Sequence, residues 1–467
     1  MAVQDDSQTL STDYLDLTLL PYGHTFQSLV VRPHGAPASP STREHERDAK
    51  KSDDSPSSEP GQHDVDVLVG LADSEEQHHS KARSFFGPLV GRYANRLPAG
   101  RIELNTGAIL NLAGSGGVCL HGGEAGFDTL PWTPIARTDS ELFGADEPEH
   151  PLPPLPSDPH AAPTEVSAMH RLYSPAGSDG FPCTVTAESL VVVSAPKEED
   201  DAGKTGRSVG KVKIVLRAHI KEDGDADIDK GTPINLTVHW GFRLDNCKEG
   251  DALGHRLYID SDKLVALDEK GLSTGSIDPI PRGNGLDFHS SGLEGEHRKI
   301  GDGYPEGGID RNFLFSYSPP SPSSPGPLSP TPQIVLSSPS SGTSDDPSLS
   351  LHFRSSLPSA QIYTAPSLDG TGPARKAVHR QAPDAGSDEG KQGYDANGAI
   401  FLEFQQPVGT VMHTAVKGAE QGASELGRWL DERATKLGRE ERTWERDSVL
   451  RRGEVWESWV EVDVRVG

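Results

Sequence analysis

The stretch "INLTVHWGF", residues 234 to 242, carries polar groups at alternate positions. In an extended chain Asn235, Thr237 and His239 share one face, opposite Ile234, Leu236 and Val238. A second apolar run, "NGAIFLEFQQP", is interrupted by Glu403 between Leu402 and Phe404. Burying an unpaired carboxylate there is costly, so Glu403 is either paired structurally or used in chemistry. Either reading of Glu403 stands on these residues alone, since ion pairs perturb carboxylates as readily as catalysis does. His239 alone says less, because a lone histidine in a strand is more often a packed, hydrogen-bonded core or surface residue.

Two more stretches supply groups that could hold a polar ligand. "GPLVGRYANRLPAG" sets Arg92 and Arg96 beside Asn95, and "GGVCLHGGEAGFDTLPW" sets His121 against two glycines that leave its ring open to an approaching molecule. Glycine pairs also simply make turns, and the arginines also read as surface charges. Other chemistries lack their patterns. Among 18 histidines, His78 and His79 are adjacent in a polar segment, and no His or Cys pair has metal-ligand spacing beside a carboxylate. No G-x-S-x-G elbow is present, and "LAGSGG" is not followed by the Lys-Ser or Lys-Thr of a phosphate loop. The expectation is chemistry with no metal and no cofactor.

The elements that must position these residues are strands. In "KVKIVLRAHI", Val212, Ile214, Leu216, Ala218 and Ile220 alternate with mostly polar positions, as do Trp456, Val460, Val462, Val464 and Val466 near the end of the chain. This period predicts sheets with one covered face. One helical pattern appears at "EQGASELGRWLDERATKLGREE", where Leu426, Leu430, Ala434 and Leu437 recur at spacings of three and four; it predicts a surface helix against a sheet.

Only 33% of the 467 residues are hydrophobic, whereas Gly (50) and Pro (38) exceed ordinary globular use. Much of that excess falls in Pro-, Ser-, Gly- and charge-rich stretches at 34–62, 146–163, 195–209, 318–348 and 370–393, read as disordered insertions into one domain spanning 1–467. The net charge of −26, from 70 acidic and 44 basic residues, argues against nucleic acid or an anionic membrane surface as a partner. Cys119, Cys183 and Cys247 are odd in number and widely spaced, which suggests small buried side chains rather than disulfides. The opening residues hold no basic region followed by an apolar run, and no later run would cross a bilayer, so a soluble cytoplasmic protein is expected. No protein partner can be inferred.

Six segments occur in an order that resembles the aldose 1-epimerase (galactose mutarotase) family: "GRYANR", "CLHGG" followed by "GFD" and "W", "INLTVHWGF", "GIDRNFLF", "LPSAQIYTA" and "FLEFQQP". "DGFPC" and "LRRGEVWES" are similar to family segments too, so the resemblance runs from about residue 15 to the C-terminus with the Pro/Ser-rich stretches as insertions. The resemblance implies an all-β fold, a large twisted antiparallel β-sandwich with a sugar cleft on one sheet. It implies His239 as general acid and Glu403 as general base. Asn95, Arg96, His121, Asp310 and Gln361 match positions that hold sugar hydroxyls. The implied activity is interconversion of the α and β anomers of a hexose, galactose or glucose, with no cofactor and a small sugar as the partner.

Two positions depart from the family pattern: Val238 stands where Asn is frequent, and Arg311 follows Asp310 where His is frequent. Both bear on sugar preference and rate more than on the acid–base pair. A hexose-6-phosphate 1-epimerase would need a compact cationic pocket; a non-catalytic carbohydrate-binding protein on the same scaffold predicts loss of His239 or Glu403, and both are present. Trp132 and Trp240 are candidate sugar platforms, although Trp240 alternates onto the face opposite His239 and so reads as core.

Overall fold

The computed structural model describes residues 7–35, 64–72, 83–144, 164–201, 206–222, 228–247, 250–316, 331–339, 348–380, 392–419, 422–439 and 441–467. Their architecture follows from strand alternation. In Ile400–Gln405, Ile400, Leu402 and Phe404 enter the main hydrophobic core, while Phe401, Glu403 and Gln405 point to the other face.

Two large sheets are built from such strands. A nine-stranded sheet runs in the order Thr133–Pro134, Glu165–Ser174, Val185–Ser194, Arg207–Ile220, Val455–Val466, Leu349–Ser355, Ile334–Ser337, Arg256–Ile259 and Arg298–Lys299. A seven-stranded sheet runs Ser273–Pro279, Lys263–Leu267, Asp310–Leu314, Ser359–Tyr363, Ile400–Gln405, Trp240–Phe242 and Leu68–Val69. Neighbouring strands within both are antiparallel. They meet through aromatic rings: Phe353 of the first sheet lies 6.0 Å from Trp240, 5.3 Å from Phe242 and 5.6 Å from Phe404 of the second. Each fully buried ring contributes about 2–3 kcal/mol, so this seam is a main source of stability. The expected antiparallel sandwich is therefore present, and Trp240 and Trp132 are both core residues.

The helix predicted from the leucine spacing spans Glu425–Leu437. Ser424 caps its first turn by accepting from the Gly427 N–H, and Gly438 in the left-handed region closes it. Leu426 and Leu430 pack on Val265 and Leu314 of the seven-stranded sheet. Two short helices, Thr410–Thr414 and Trp444–Asp447, accompany it and were not expected.

Three of the five insertions meet described structure that their sequence reading did not include. The stretch 146–163, and 34–62 apart from residues 34 and 35, lie outside the described residues. The other three are shorter than composition implies. The strand Arg207–Ile220 begins inside 195–209, and Ile334–Ser337, inside 318–348, pairs with strands on both sides. In 370–393, Lys376 is buried and its Nζ donates to the Gln27 carbonyl and to Asp66 Oδ2 at 2.5 Å. Beside it His379 bonds the Tyr394 hydroxyl and the Asp66 carbonyl. Composition cannot distinguish a solvated lysine from one with a buried partner. All three cysteines are buried and none forms a disulfide, and among the described residues no helix is long and apolar enough to cross a membrane.

Candidate active site

The run at 234–242 is not one strand. Thr237–Val238 pairs with Leu89–Val90, whereas Trp240–Phe242 pairs with Ile400–Gln405, so the chain changes partners at His239. The peptide of His239 is held at this switch by the segment before it: its N–H donates to the Pro88 carbonyl, and its own carbonyl accepts from the Gly87 N–H. The polar row also divides. Asn235 is consumed structurally, donating to the Gln406 carbonyl and accepting from the Gln406 N–H, and the Thr237 hydroxyl turns to the Val238 carbonyl. Only His239 of the three carries its side chain to the site.

Ladder register explains what it meets. Trp240 lies opposite Leu402, Gly241 opposite Phe401 and Phe242 opposite Ile400. One step past the ladder's end His239 comes opposite Glu403, and its Nε2 lies 3.4 Å from Glu403 Oε1. On the other edge of the same strand Glu403 is opposite Gln361, and Gln361 is opposite Asn312. Asp310, two residues from Asn312, therefore shares its face, and Gln361 Nε2 donates to Asp310 Oδ1 at 2.5 Å.

The other groups arrive from the ladder of Arg96–Pro98 with Val118–Leu120, in which Arg96 is opposite Leu120. His121 and Asn95 again lie one step beyond its end. The His121 N–H donates to the Asn95 carbonyl, and the Asn95 N–H donates to His121 Nδ1 at 3.1 Å. Arg96 reaches Asn95 Oδ1 at 3.4 Å and Asp310 Oδ2 at 3.2 Å, and the His121 ring stands 5.1 Å from that of His239. All seven sequence-derived candidates thus form one continuous circuit. Arg92 does not join it; its buried guanidinium donates to the carbonyls of Ser174, Pro175, Pro182 and Cys183.

Burial sets the electrostatics. His239 is 6% exposed and Glu403 3%. Desolvation drives His239 down to about 4, with backbone groups of His239 and Phe85 and the charge of Asp310 resisting it. Desolvation raises Glu403 to about 8, Asp310 adds to the rise and Arg96 opposes it. Between these values the pair holds one proton, and the arrangements Glu–COOH with neutral His and Glu–COO⁻ with HisH⁺ differ only in where it sits. His121 is also pushed well below its usual range, first by burial, then by His239, Arg96 and Arg83.

Atoms of His121, His239 and Glu403 that could ligate a metal lie within 4.8 Å of one another. The tautomer of His121 works against that use. A backbone N–H can only donate, so Nδ1 accepts and the neutral ring carries its proton on Nε2, leaving no free lone pair on either nitrogen. His121 is instead a donor toward the cleft.

Two residues of the site were not recognised from sequence. Asn312 is fully buried, and neither end of its amide has a hydrogen-bond partner among the described residues; the period of two from Asp310 would have marked it. Phe85 lies 4.7 Å from the His121 ring and 5.5 Å from the His239 ring, and no pattern singled it out. Beyond Arg96 and Asp310 the site opens into a cleft of about 470 Å³. The basic Arg96, Lys270 and Arg311 share its walls with Asp268, Glu269, Asp278 and Asp310, an acidic majority rather than the cationic pocket a phosphate requires.

An antiparallel sandwich presenting a buried imidazole–carboxylate pair, ringed by hydrogen-bonding side chains, defines the class of protein. The aldose 1-epimerase family profile matches residues 166–399, half of the chain, and the chain belongs to this family. It is 25% identical over 253 residues to galactose mutarotase of Sus scrofa, covering 54% of this chain and 58% of that protein. It is 28% identical over 227 residues to aldose 1-epimerase of Escherichia coli, covering 48% and 51%. The chain thus spans about half the length of these curated relatives. The fold is similar to that of a GalM/aldose epimerase homologue from C. elegans, with TM-score 0.60 and 16% identity over 98% of this chain and 99% of that one. It is also similar to galactose 1-epimerase from Lactobacillus acidophilus, with TM-score 0.59 and 17% identity over 100% and 97%. His239, Asp310 and Gln361 fall inside the profile match, whereas Asn95, Arg96, His121 and Glu403 lie outside it.

Proposed function

We propose that the protein is a mutarotase that interconverts the α and β anomers of a neutral hexose, galactose or glucose, with His239 and Glu403 as the acid–base pair. The observation that carries this reading is the 3.4 Å approach of His239 Nε2 to Glu403 Oε1 at the centre of the hydroxyl-binding circuit. The anomeric oxygen O1 and the ring oxygen O5 are both bonded to C1, so the groups that serve them must stand close together.

The Glu403 carboxylate takes the proton of the O1 hydroxyl, and the freed electron pair forms the C1=O bond. The C1–O5 bond breaks with its electrons on O5, which receives a proton from the His239 imidazolium. Rotation about C1–C2 presents the other face of the aldehyde, and closure reverses both transfers. The single proton shared by the pair is the number this cycle needs. Arg96 and the His121 Nε2–H are placed to donate to hydroxyls and Asp310 to accept from them. The acidic balance of the adjoining cleft favours a neutral sugar over a sugar phosphate. A cytoplasmic location accords with this substrate, and fractionation would test it.

Polarimetry of freshly dissolved α-D-galactose and α-D-glucose tests the proposal. Equilibration well above the buffer rate is expected for at least one sugar; relaxation no faster than buffer with both would overturn it.

A further inference from the structure

Besides holding the His239 peptide, the segment Arg83–Pro88 sets a ring against both histidines of the site. Its backbone grips His239 through the Gly87 N–H and the Pro88 carbonyl. Its ring, Phe85, lies against His121 at 4.7 Å and against His239 at 5.5 Å. Behind that ring the Arg83 guanidinium carbon stands 4.7 Å from its centroid. Arg83 is itself anchored to buried Asp128, with Nε 2.8 Å from Oδ2, and to the Gly123 carbonyl, two residues past His121.

Two backbone features show that this placement is enforced. Phe85 has φ of 51°, a left-handed conformation that a bulky side chain adopts at a cost of order 1 kcal/mol. Gly87 has φ of 81°, and a Cβ there would sit 2.4 Å from the Phe26 carbonyl oxygen, so no other residue fits. A half-buried aromatic held in an unfavourable backbone conformation, over two functional rings and under an anchored cation, is more than filler.

We infer that Phe85, backed by Arg83, is a positioning residue: it fixes the ring planes of His239 and His121 and screens His239 from water. The inference rests on the mutarotase reading. If the ring screens His239, its removal raises the local dielectric and lets the imidazole regain its ordinary affinity for protons. The charged and titratable groups around His239 are Glu403, Asp310 and His121, with Arg96 and Arg83 beyond; none is removed when Phe85 is replaced.

The experiment follows the anomerisation rate of α-D-galactose against pH for the wild type, Phe85→Leu, Phe85→Tyr and Arg83→Lys. Phe85→Leu is expected to lower kcat about tenfold with KM altered less than about threefold, and to move the acid limb from about 4 toward 6.5. Phe85→Tyr should restore both. Arg83→Lys keeps a cation for Asp128 but loses the planar group behind the ring, and should shift kcat in the same direction, which preserves the test if Phe85→Leu does not fold. Wild-type kcat and acid limb in Phe85→Leu would overturn the inference, as would a raised KM with unchanged kcat. An inactive wild type would instead remove the mutarotase reading beneath it.

Discussion

His239 stands opposite Glu403 because each lies one residue beyond the last pair of an antiparallel ladder, where neither backbone is committed to a sheet bond with the other. Asn95 and His121 likewise meet one residue beyond a second ladder, but there the backbones stay bonded, His121 N–H to the Asn95 carbonyl. Ladder ends give rigid placement while freeing side chains to face a cleft.

The proton count of the pair predicts a bell-shaped pH profile. The one-proton state dominates between about 4, where His239 gains a second proton, and about 8, where Glu403 loses the last one. Anomerisation measured from pH 3.5 to 9.5 should show limbs near these values.

The raised affinity of Glu403 for a proton also governs stability. Its value is about 8 in the fold against 4.5 in the unfolded chain, so between those values the native state binds more protons and stability falls as pH rises. Glu403→Gln removes this slope. Chemical denaturation should show the variant about as stable as the wild type near pH 4.5, and more stable by an amount of order 3–5 kcal/mol at pH 8.5.

Asp310 has two effects that a single substitution separates. On the mutarotase reading, Asp310→Asn exchanges one acceptor oxygen for a donor NH2, which should raise KM about tenfold or more, and it removes a negative charge that helps keep Glu403 protonated. The alkaline limb should therefore move below 8. Initial rates across sugar concentration at several pH values check both.

Lys376 predicts a large stability effect away from the site. Lys376→Met leaves Asp66 as a buried charge without its cation, and urea unfolding should show a loss of about 3–5 kcal/mol.

The sandwich was legible where one sheet face is covered, as in Val212 to Ile220 and near the C-terminus, because burial on one face enforces a period of two. Glu403 was legible because a charge in an apolar run demands an explanation. Thr237 and Asn235 misled, since a polar row looks the same whether it bonds backbone or ligand. The meeting of His121, His239 and Glu403 depends on register between strands far apart in sequence, and order of motifs stood in for it. Phe85 left no trace, because its role lies in what its ring touches. Lys376 was hidden inside a stretch whose composition resembles a solvated loop.

The central claim is that His239 and Glu403 act as one unit, and the direct measurement is the anomerisation rate of Glu403→Gln, His239→Asn and the double variant, each verified as folded. Each single substitution should lower kcat by about 10³-fold or more, and the double variant should be little worse than either, because a pair with one member missing cannot complete the proton cycle. Acceleration that survives in both single variants would contradict the account.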